Sequence, residues 1–309
     1  MHRLQWDEVP RTVQSAIEAM VGARVIGSVS GTGGYSPSLA SRCDLDDGRR
    51  VFVKAVSAAQ NPETPGMLRR EIEVTRLLPP DVAAPSLLDS FDDGEWVVAV
   101  FEYVDGRAPS DPWREDELRA VCMAVTQLGQ APVNDDLRAL LPSAEDRLAP
   151  MFDNWELLAA APPDGLDPWA ASHLAVLAAL ESRWRDAVAG ESLSHNDIRS
   201  DNTLIERSGR VVFVDWPHAC IGAPWLDLVC MVPSVVLEGG RPEDVLLFAD
   251  AAVDEQAVDT VLATLAGYFV ERCTRPDPPG LPTVRAFQRA QAEVTLDWLR
   301  TRLGDPAPQ

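Results

Sequence analysis

Lysine is almost missing from this sequence. Lys54 is the only one, and arginine supplies all the remaining positive charge. Positive charge of either kind is also scarce, with 27 Lys and Arg against 48 Asp and Glu and a net charge of −21. That balance excludes nucleic acid as a partner, because a phosphate backbone attracts Lys and Arg. Residues 101–309 hold 17 of the 21 net negative charges. Such a surface maintains solubility and is also able to attract a cationic small substrate. Cysteine is sparse: Cys43, Cys122, Cys220, Cys230 and Cys273 are odd in number, scattered, and never form Cys-x-x-Cys. The pattern fits reduced thiols in a cytoplasm rather than a disulfide framework. The four histidines, His2, His173, His195 and His218, form no metal-ligand cluster. No apolar run approaches 18 residues and no charged-then-apolar leader is visible, so the expectation is a protein with neither a membrane span nor a signal peptide. Repeats and low-complexity tracts are missing as well.

What is there centres on one stretch, Ser194-His195-Asn196-Asp197-Ile198-Arg199-Ser200-Asp201-Asn202. It reads His-x-Asp-x-x-x-x-Asn. A Ser208-Gly209 turn and the apolar run Val211 to Val214 follow, ending in Asp215-Trp216. A loop carboxylate, an amide five residues on and a second carboxylate after the next strand suit phosphoryl transfer. Asp197 orients a hydroxyl nucleophile, while Asn202 and Asp215 hold Mg²⁺ on the phosphates. Oxygen ligands match that hard ion, which keeps several waters and the phosphates for its other positions.

The first hundred residues read as a helix over 11–22 capped by Gly22, followed by strand-like runs. A glycine-rich turn over 27–38 contains Gly33, Gly34 and Ser36. It is either a hairpin turn or a loop whose N–H groups approach a phosphate. Strands Leu39 to Leu45 and Arg50 to Val56 flank Asp46-Asp47-Gly48, with Lys54 inside the second. The compact ammonium of a lysine reaches between α- and β-phosphates in a way that Arg's planar fork does not. A helix from Thr64-Pro65 to Leu78 carries two acids. Glu71 shares a face with Leu68, Val74, Thr75 and Leu78, while Glu73 sits among Arg69, Arg70 and Arg76. A carboxylate on an apolar stripe wants a buried cation, so Glu71 is the expected partner of Lys54. Two further strands, Ser86 to Phe91 and Glu95 to Tyr103, complete a five-stranded antiparallel sheet and run into the connector Phe101 to Gly106. An extended connector offers backbone groups to a flat base. From residue 112 the pattern is helical, over 114–130, 143–160, 168–189, 224–237, 242–252, 255–273 and 283–303.

In this order the pieces resemble the aminoglycoside phosphotransferase family, the small-molecule branch of the protein-kinase-like fold. The resemblance covers nearly the whole chain, and rests on His195-Asn196-Asp197 to Asn202 and on Asp215-Trp216 to Asp227-Leu228. It implies a bilobal α+β fold, with a nucleotide-binding lobe over 1–103 and a helical catalytic and substrate-binding lobe over 104–309. It also implies ATP or GTP as donor, Mg²⁺ as cofactor, and a small hydroxylated acceptor, an aminoglycoside or similar antibiotic. A metabolite alcohol of the choline, homoserine or sugar-amine type is the alternative. By resemblance Asp197 is the catalytic base, and Lys54 held by Glu71 grips the phosphates. Asn202 and Asp215 bind the metal, and Glu102 and Val104 present backbone groups to the base. His195 and Asp227 support the catalytic loop. The family usually has Gly where this chain has Asn196, and His where it has Arg199. An arginine at 199 either stabilises the transferring phosphoryl oxygens or only contacts solvent. A protein kinase fits less well, since eleven residues between Asp215 and Asp227 are too few for a protein-docking activation segment. A catalytically dead regulator would be expected to have lost Lys54, Asp197 or Asp215, and all three are present.

Overall fold

The structure, a computed structural model, describes residues 3–31, 38–249, 253–277 and 283–304. The chain begins with α1 (Arg11–Val21), β1 (Val25–Ser30), β2 (Leu39–Leu45), β3 (Arg50–Ser57), α2 (Thr64–Leu77), β4 (Leu87–Asp92), β5 (Trp96–Glu102) and β6 (Gly106–Arg107). Helices α3 (Glu115–Gly129), α4 (Asp135–Leu140), α5 (Ala144–Leu148), α6 (Trp155–Ala160), α7 (Pro168–Glu181) and α8 (Trp184–Val188) come next. Short strands β7 (Ser192–Ser194), β8 (Thr203–Glu206), β9 (Val211–Phe213) and β10 (Cys220–Gly222) frame the central motif. Helices α9 (Leu226–Leu237), α10 (Pro242–Ala249), α11 (Glu255–Cys273) and α12 (Val284–Arg302) close the described chain. Internal contacts divide it into two compact units. One runs to Arg107 and takes back Leu204–Pro217; the other holds Ala108–Thr203 and the chain from His218. The sequence suggests a single cut between 103 and 104, whereas these contacts group the β8–β9 hairpin with the sheet-bearing unit.

In the first unit five antiparallel strands lie in the order β1-β2-β3-β5-β4. Strand alternation sorts their side chains between two cores. Val51, Val53, Ala55, Val98 and Val100 pack with Val13, Ile17 and Val21 of α1 on one face. Val56, Val97, Ala99 and Phe101 pack with Leu68 and Ile72 of α2 on the other, with Phe52 against them. Lys54 alternates with Val53 and Ala55, so it falls on the α2 face. Its neighbours across the sheet are Ala40 and Ala99, whose small side chains leave room for an ammonium. The connector after β5 pairs with β8, Gly106 opposite Glu206 and Arg107 opposite Ile205. A Cβ at Gly106 would lie 3.1 Å from Leu204 Cβ and 3.3 Å from the Ile205 carbonyl, which explains the glycine. The Phe213 N–H donates to the Ala83 carbonyl at 2.8 Å, tying β9 to the segment before β4.

The second unit is mainly helical, with a two-stranded β7–β10 ladder pairing Ser194 with Cys220. Two expected helices prove to be broken. The run over 143–160 divides into α5 and α6, because Pro150 brings no N–H and Asp153 takes a left-handed φ of 67°. The run over 168–189 divides into α7 and α8 with no glycine or proline at the break. There Trp184 is fully buried and its indole N–H donates to Asp153 Oδ1 at 2.8 Å, so packing overrides periodicity. Helix α4 was not expected; Asn134 caps it by accepting from the Leu137 N–H at 2.7 Å. No helix among the described residues is long and apolar enough to cross a membrane. All five thiols are free, and burial pushes those of Cys43, Cys122 and Cys220 up to about 12.

One acid sits deep in this helical core. Glu181 is 2% exposed, and its Oε2 accepts from the Trp155 N–H at 2.7 Å. Burial pushes its carboxyl up to about 7, against the backbone donors at Trp155 and Asn154. The folded chain therefore holds a proton that the unfolded chain, with its ordinary value of 4.5, has released. That contribution to stability is complete below the unfolded value and is lost as pH rises through about 7. Glu181→Gln keeps an oxygen acceptor and removes the titration. Thermal unfolding from pH 5 to pH 8 should show the wild type losing up to about 3 kcal/mol relative to the variant. Parallel curves for the two proteins would mean that Glu181 stays ionised throughout.

Candidate active site

The first unit gathers Lys54, Glu71 and Asp215. Lys54 Nζ donates to both Glu71 oxygens at 2.7 Å and to Asp215 Oδ1 at 2.9 Å. Its stem lies by the Phe101 ring, with Nζ 5.7 Å from the centroid. The side chains of Lys54, Glu71 and Asp215 are 18%, 6% and 45% exposed. Burial opposes the charge on Lys54, but Asp215 and Glu71 outweigh it and hold the ammonium well above the usual lysine range. Burial raises Glu71 to about 6 even with Lys54 drawing it down, and the Trp216 N–H also bonds its carboxylate. Glu71 rather than Glu73 is the partner; Glu73 lies 3.7 Å from Arg70 on the outer side of α2.

Asp215 reaches this cluster through a left-handed turn, with φ of 71°. Asp is among the few residues that adopt it at modest cost. The turn follows β9 and precedes Trp216, which is buried and donates from its indole to the Phe213 carbonyl at 2.9 Å. Packing of Trp216 thus fixes the bend from which the Asp215 carboxylate projects.

The second unit gathers Asp197, Arg199 and Asn202 on the loop after β7. Asn202 donates from Nδ2 to the Asp197 carbonyl and to Asp197 Oδ2, both at 2.9 Å. Arg199 Nη1 lies 3.3 Å from Asp197 Oδ1. The same guanidinium donates to Asp201 at 2.9 and 3.1 Å. Each oxygen of the Asp197 carboxylate is therefore met by a donor on its own loop. Arg199, for which solvent contact was one expectation, is instead held between Asp197 and Asp201.

Asp227, in the first turn of α9, holds the loop's entrance. It is buried and accepts from Ser194 Oγ at 2.9 Å and from the His195 and Asn196 N–H groups, both at 2.7 Å. Burial raises its pKa, and those three donors work in the opposite direction. Asn196 has a φ of 60°. Glycine adopts that conformation freely and Asn tolerates it better than most residues, so the departure at 196 keeps the backbone shape.

The model of the phosphotransferase enzyme family matches residues 32–270. This chain belongs to that family. No curated protein matches its sequence. Among solved structures, the choline kinase LicA from Streptococcus pneumoniae is similar with a TM-score of 0.61 and 13% identity, over 94% of this chain and 98% of that one. The phosphotransferase APH(2")-IIia, described in complex with GDP and kanamycin, gives a TM-score of 0.60 and 15% identity over 96% and 99% of the two chains. The macrolide 2'-phosphotransferase MphH from Brachybacterium faecium gives 0.55 and 16% over 97% and 100%. The phosphotransferase family fold, α+β with a five-stranded antiparallel sheet, is therefore the fold of this chain.

The remaining expected positions are less informative. Glu102 ends β5, and its N–H donates to the Ser86 carbonyl at 2.8 Å; Val104 lies between β5 and β6. Gly33, Gly34 and Ser36 lie outside the described residues. Asp201, Ser194, the Trp216 N–H and the contact of Asp215 with Lys54 went unread in the sequence. Only Asp201 had a local signal, its spacing of two from Arg199 on a tight loop.

The left-handed backbone at 196 makes a direct prediction. Asn196→Gly should leave thermal stability and turnover nearly unchanged. Asn196→Val, which puts a β-branched residue at positive φ, should cost about 1–2 kcal/mol and misplace Asp197. Equal melting temperatures for the two variants would show that the loop does not need this conformation.

Proposed function

We propose that this phosphotransferase moves the γ-phosphate of ATP or GTP to a hydroxyl of a small molecule, an aminoglycoside or similar antibiotic. The observation that carries the reading is the Asp197 carboxylate, met on one oxygen by Asn202 and on the other by Arg199. A carboxylate pinned in this way is preorganised to orient an acceptor hydroxyl and take its proton as the phosphoryl group arrives. Arg199, fixed by Asp201, supplies a cation beside that carboxylate for the charge of the transferring group. Lys54, fixed by Glu71, supplies one for the nucleotide phosphates. Glu102 and Val104 offer backbone groups to the base, and Gly33, Gly34 and Ser36 belong to the phosphate loop.

The donor set suits magnesium. Asp215 and Asn202 bring two side-chain oxygen ligands, and Mg²⁺ takes one or two such groups with phosphates and waters. Among the described residues no group of three or more His, Cys, Asp and Glu could hold a metal, which argues against an all-protein cage. When bound, the ion bridges and neutralises phosphate oxygens.

The acceptor is the less constrained part. Similar structures include a choline kinase, an ethanolamine kinase and enzymes for kanamycin, macrolides and spectinomycin. The negative charge concentrated in residues 101–309 favours acceptors carrying an amine. Release of ADP or GDP should be measured with purified protein across aminoglycosides, macrolides, choline, ethanolamine, homoserine and amino sugars, with phosphorylated product identified by mass spectrometry. Turnover on an antibiotic supports the reading. Turnover confined to a metabolite alcohol transfers it to metabolism, and none with any acceptor or donor removes it.

On a confirmed acceptor, Asp197→Ala should lower kcat by about 10²–10⁴ while nucleotide still binds. Near wild-type turnover would remove Asp197 from the reaction. Lys54→Arg should fail to restore activity, because a planar guanidinium does not fit a site cut for one ammonium between two carboxylates. The double variant Lys54→Ala/Glu71→Ala should lose less kcat/KM than the sum of the single losses. Strict additivity would mean that the pair does not act as a unit.

A further inference from the structure

Residues 3–8 precede α1 and contribute only a single 3-10 turn, Trp6–Glu8, yet side-chain hydrogen bonds fix them against the sheet. Gln5 is the centre of this net. Its Nε2 donates to the Arg3 carbonyl at 2.9 Å, its Oε1 accepts from Ser30 Oγ at 2.9 Å, and its N–H donates to Glu8 Oε2 at 2.7 Å. Ser30 Oγ in turn lies 3.0 Å from Ser41 Oγ across the ladder. From α1, the buried Gln14 amide donates to both the Trp6 and Val9 carbonyls at 2.8 Å. Leu4 and Trp6 pack against the core on the α1 face of the sheet.

The consequence is a fixed place for one guanidinium. Arg3 Nη1 donates to the Gly31 carbonyl at 2.7 Å, directly after β1. Gly31 opens the glycine-rich stretch, and a Cβ there would come within 3.2 Å of the same nitrogen. Arg3 also feels the Asp215 carboxylate. Burial holds its pKa below the usual arginine range, and the Asp215 charge acts against that burial. Arg3, Gly31, Lys54, Glu71 and Asp215 all belong to the one sheet-bearing unit. Lys54 between Glu71 and Asp215 leaves that cluster one negative charge in excess, and Arg3 brings it to neutrality.

An arginine with no task would keep its head in water, where its hydration is not opposed. This one is partly withdrawn from water, at the edge of the glycine-rich stretch and in the field of the same carboxylate that Lys54 bonds. We propose that Arg3 is a phosphate ligand of the nucleotide, its guanidinium binding oxygens of the β- and γ-phosphates alongside Lys54. The inference rests on the reading of this unit as the nucleotide site. A guanidinium suits the role because its planar fork bonds two phosphate oxygens at once, where the Lys54 ammonium acts as a point charge. Gln5 and Ser30 are then the positioning residues that hold the segment in register with β1.

The test is calorimetric titration of the full chain with ATP, ADP and AMP, and with the guanine series, in the presence of Mg²⁺. Arg3→Ala should weaken triphosphate binding about tenfold to a hundredfold, the range for a hydrogen-bonded charge, and leave monophosphate binding unchanged. Arg3→Lys should recover part of the loss, because the charge returns without the fork. Gln5→Ala should give a smaller loss with the same dependence on phosphate number. Unfolding curves run in parallel separate a lost ligand from a damaged fold. Equal weakening for mono- and triphosphate would make Arg3 structural and overturn the proposal, as would unchanged affinity. Tighter triphosphate binding by Arg3→Ala would also overturn it, and would show that the arginine obstructs the site. Asp215→Ala separates the two readings. If it abolishes Mg²⁺-dependent binding while Arg3→Ala has no effect, the nucleotide site stands and only the role of Arg3 falls. If the wild type binds no nucleoside triphosphate, both fall.

Discussion

The sheet-bearing unit is organised around one ammonium. Lys54 is withdrawn from water, and a buried charge is tolerated only when it is paired and hydrogen-bonded. Everything near it meets that demand. Ala40 and Ala99 flank it across the ladder, Phe101 lies along its stem, α2 brings Glu71, and the turn after β9 brings Asp215. Two carboxylates on one lysine exceed what neutrality requires. The excess negative charge prepares the cluster for cations, which is the electrostatic state a metal-assisted phosphate site needs before its ligands arrive.

The helical unit solves the matching problem for a carboxylate. Asp197 is useful only if its oxygens point in a fixed direction, and a loop gives no such guarantee. Here the loop braces itself through Asn202, Arg199 and Asp201, and Asp227 ties its first residues to the start of α9. The Thr203 hydroxyl and the Asn202 N–H both donate to the Arg199 carbonyl, at 2.8 and 3.1 Å, closing the loop at its far end. Replacing the family's usual glycine by Asn196 survives because that position needs a left-handed backbone, not a missing side chain. A family in which similar folds act on choline, kanamycin and macrolides keeps such bracing on a common scaffold and varies what surrounds it.

Several assignments were legible because short-range geometry decides them. Alternation along β3 and helical spacing on α2 put Lys54 and Glu71 on facing surfaces, and Glu73 on the outer one, before any fold was in view. Gly22 ends α1 in a left-handed conformation with φ of 67°, as its place after the last apolar residue suggests. Asp167 with Pro168 opens α7 as read, with the Asp167 side chain accepting from the Ala170 N–H at 3.0 Å.

What the sequence determined by itself was therefore whatever depends on neighbours a few residues away: the strands, most helix starts, the face on which Lys54 and Glu71 lie, and the spacing of Asp197 and Asn202. The tertiary structure alone decided the contacts that cross long stretches of chain. Asp215 meets Lys54 across a separation of 161 residues, and Asp227 meets the His195 and Asn196 N–H groups across 32 and 31. It also broke 168–189 at Trp184, where no local breaker stands, and carried Arg3 to the Gly31 carbonyl. Such pairings leave no periodicity to read. They are fixed by which buried charges and indoles find a partner when the cores close, and that is settled by packing rather than by propensity.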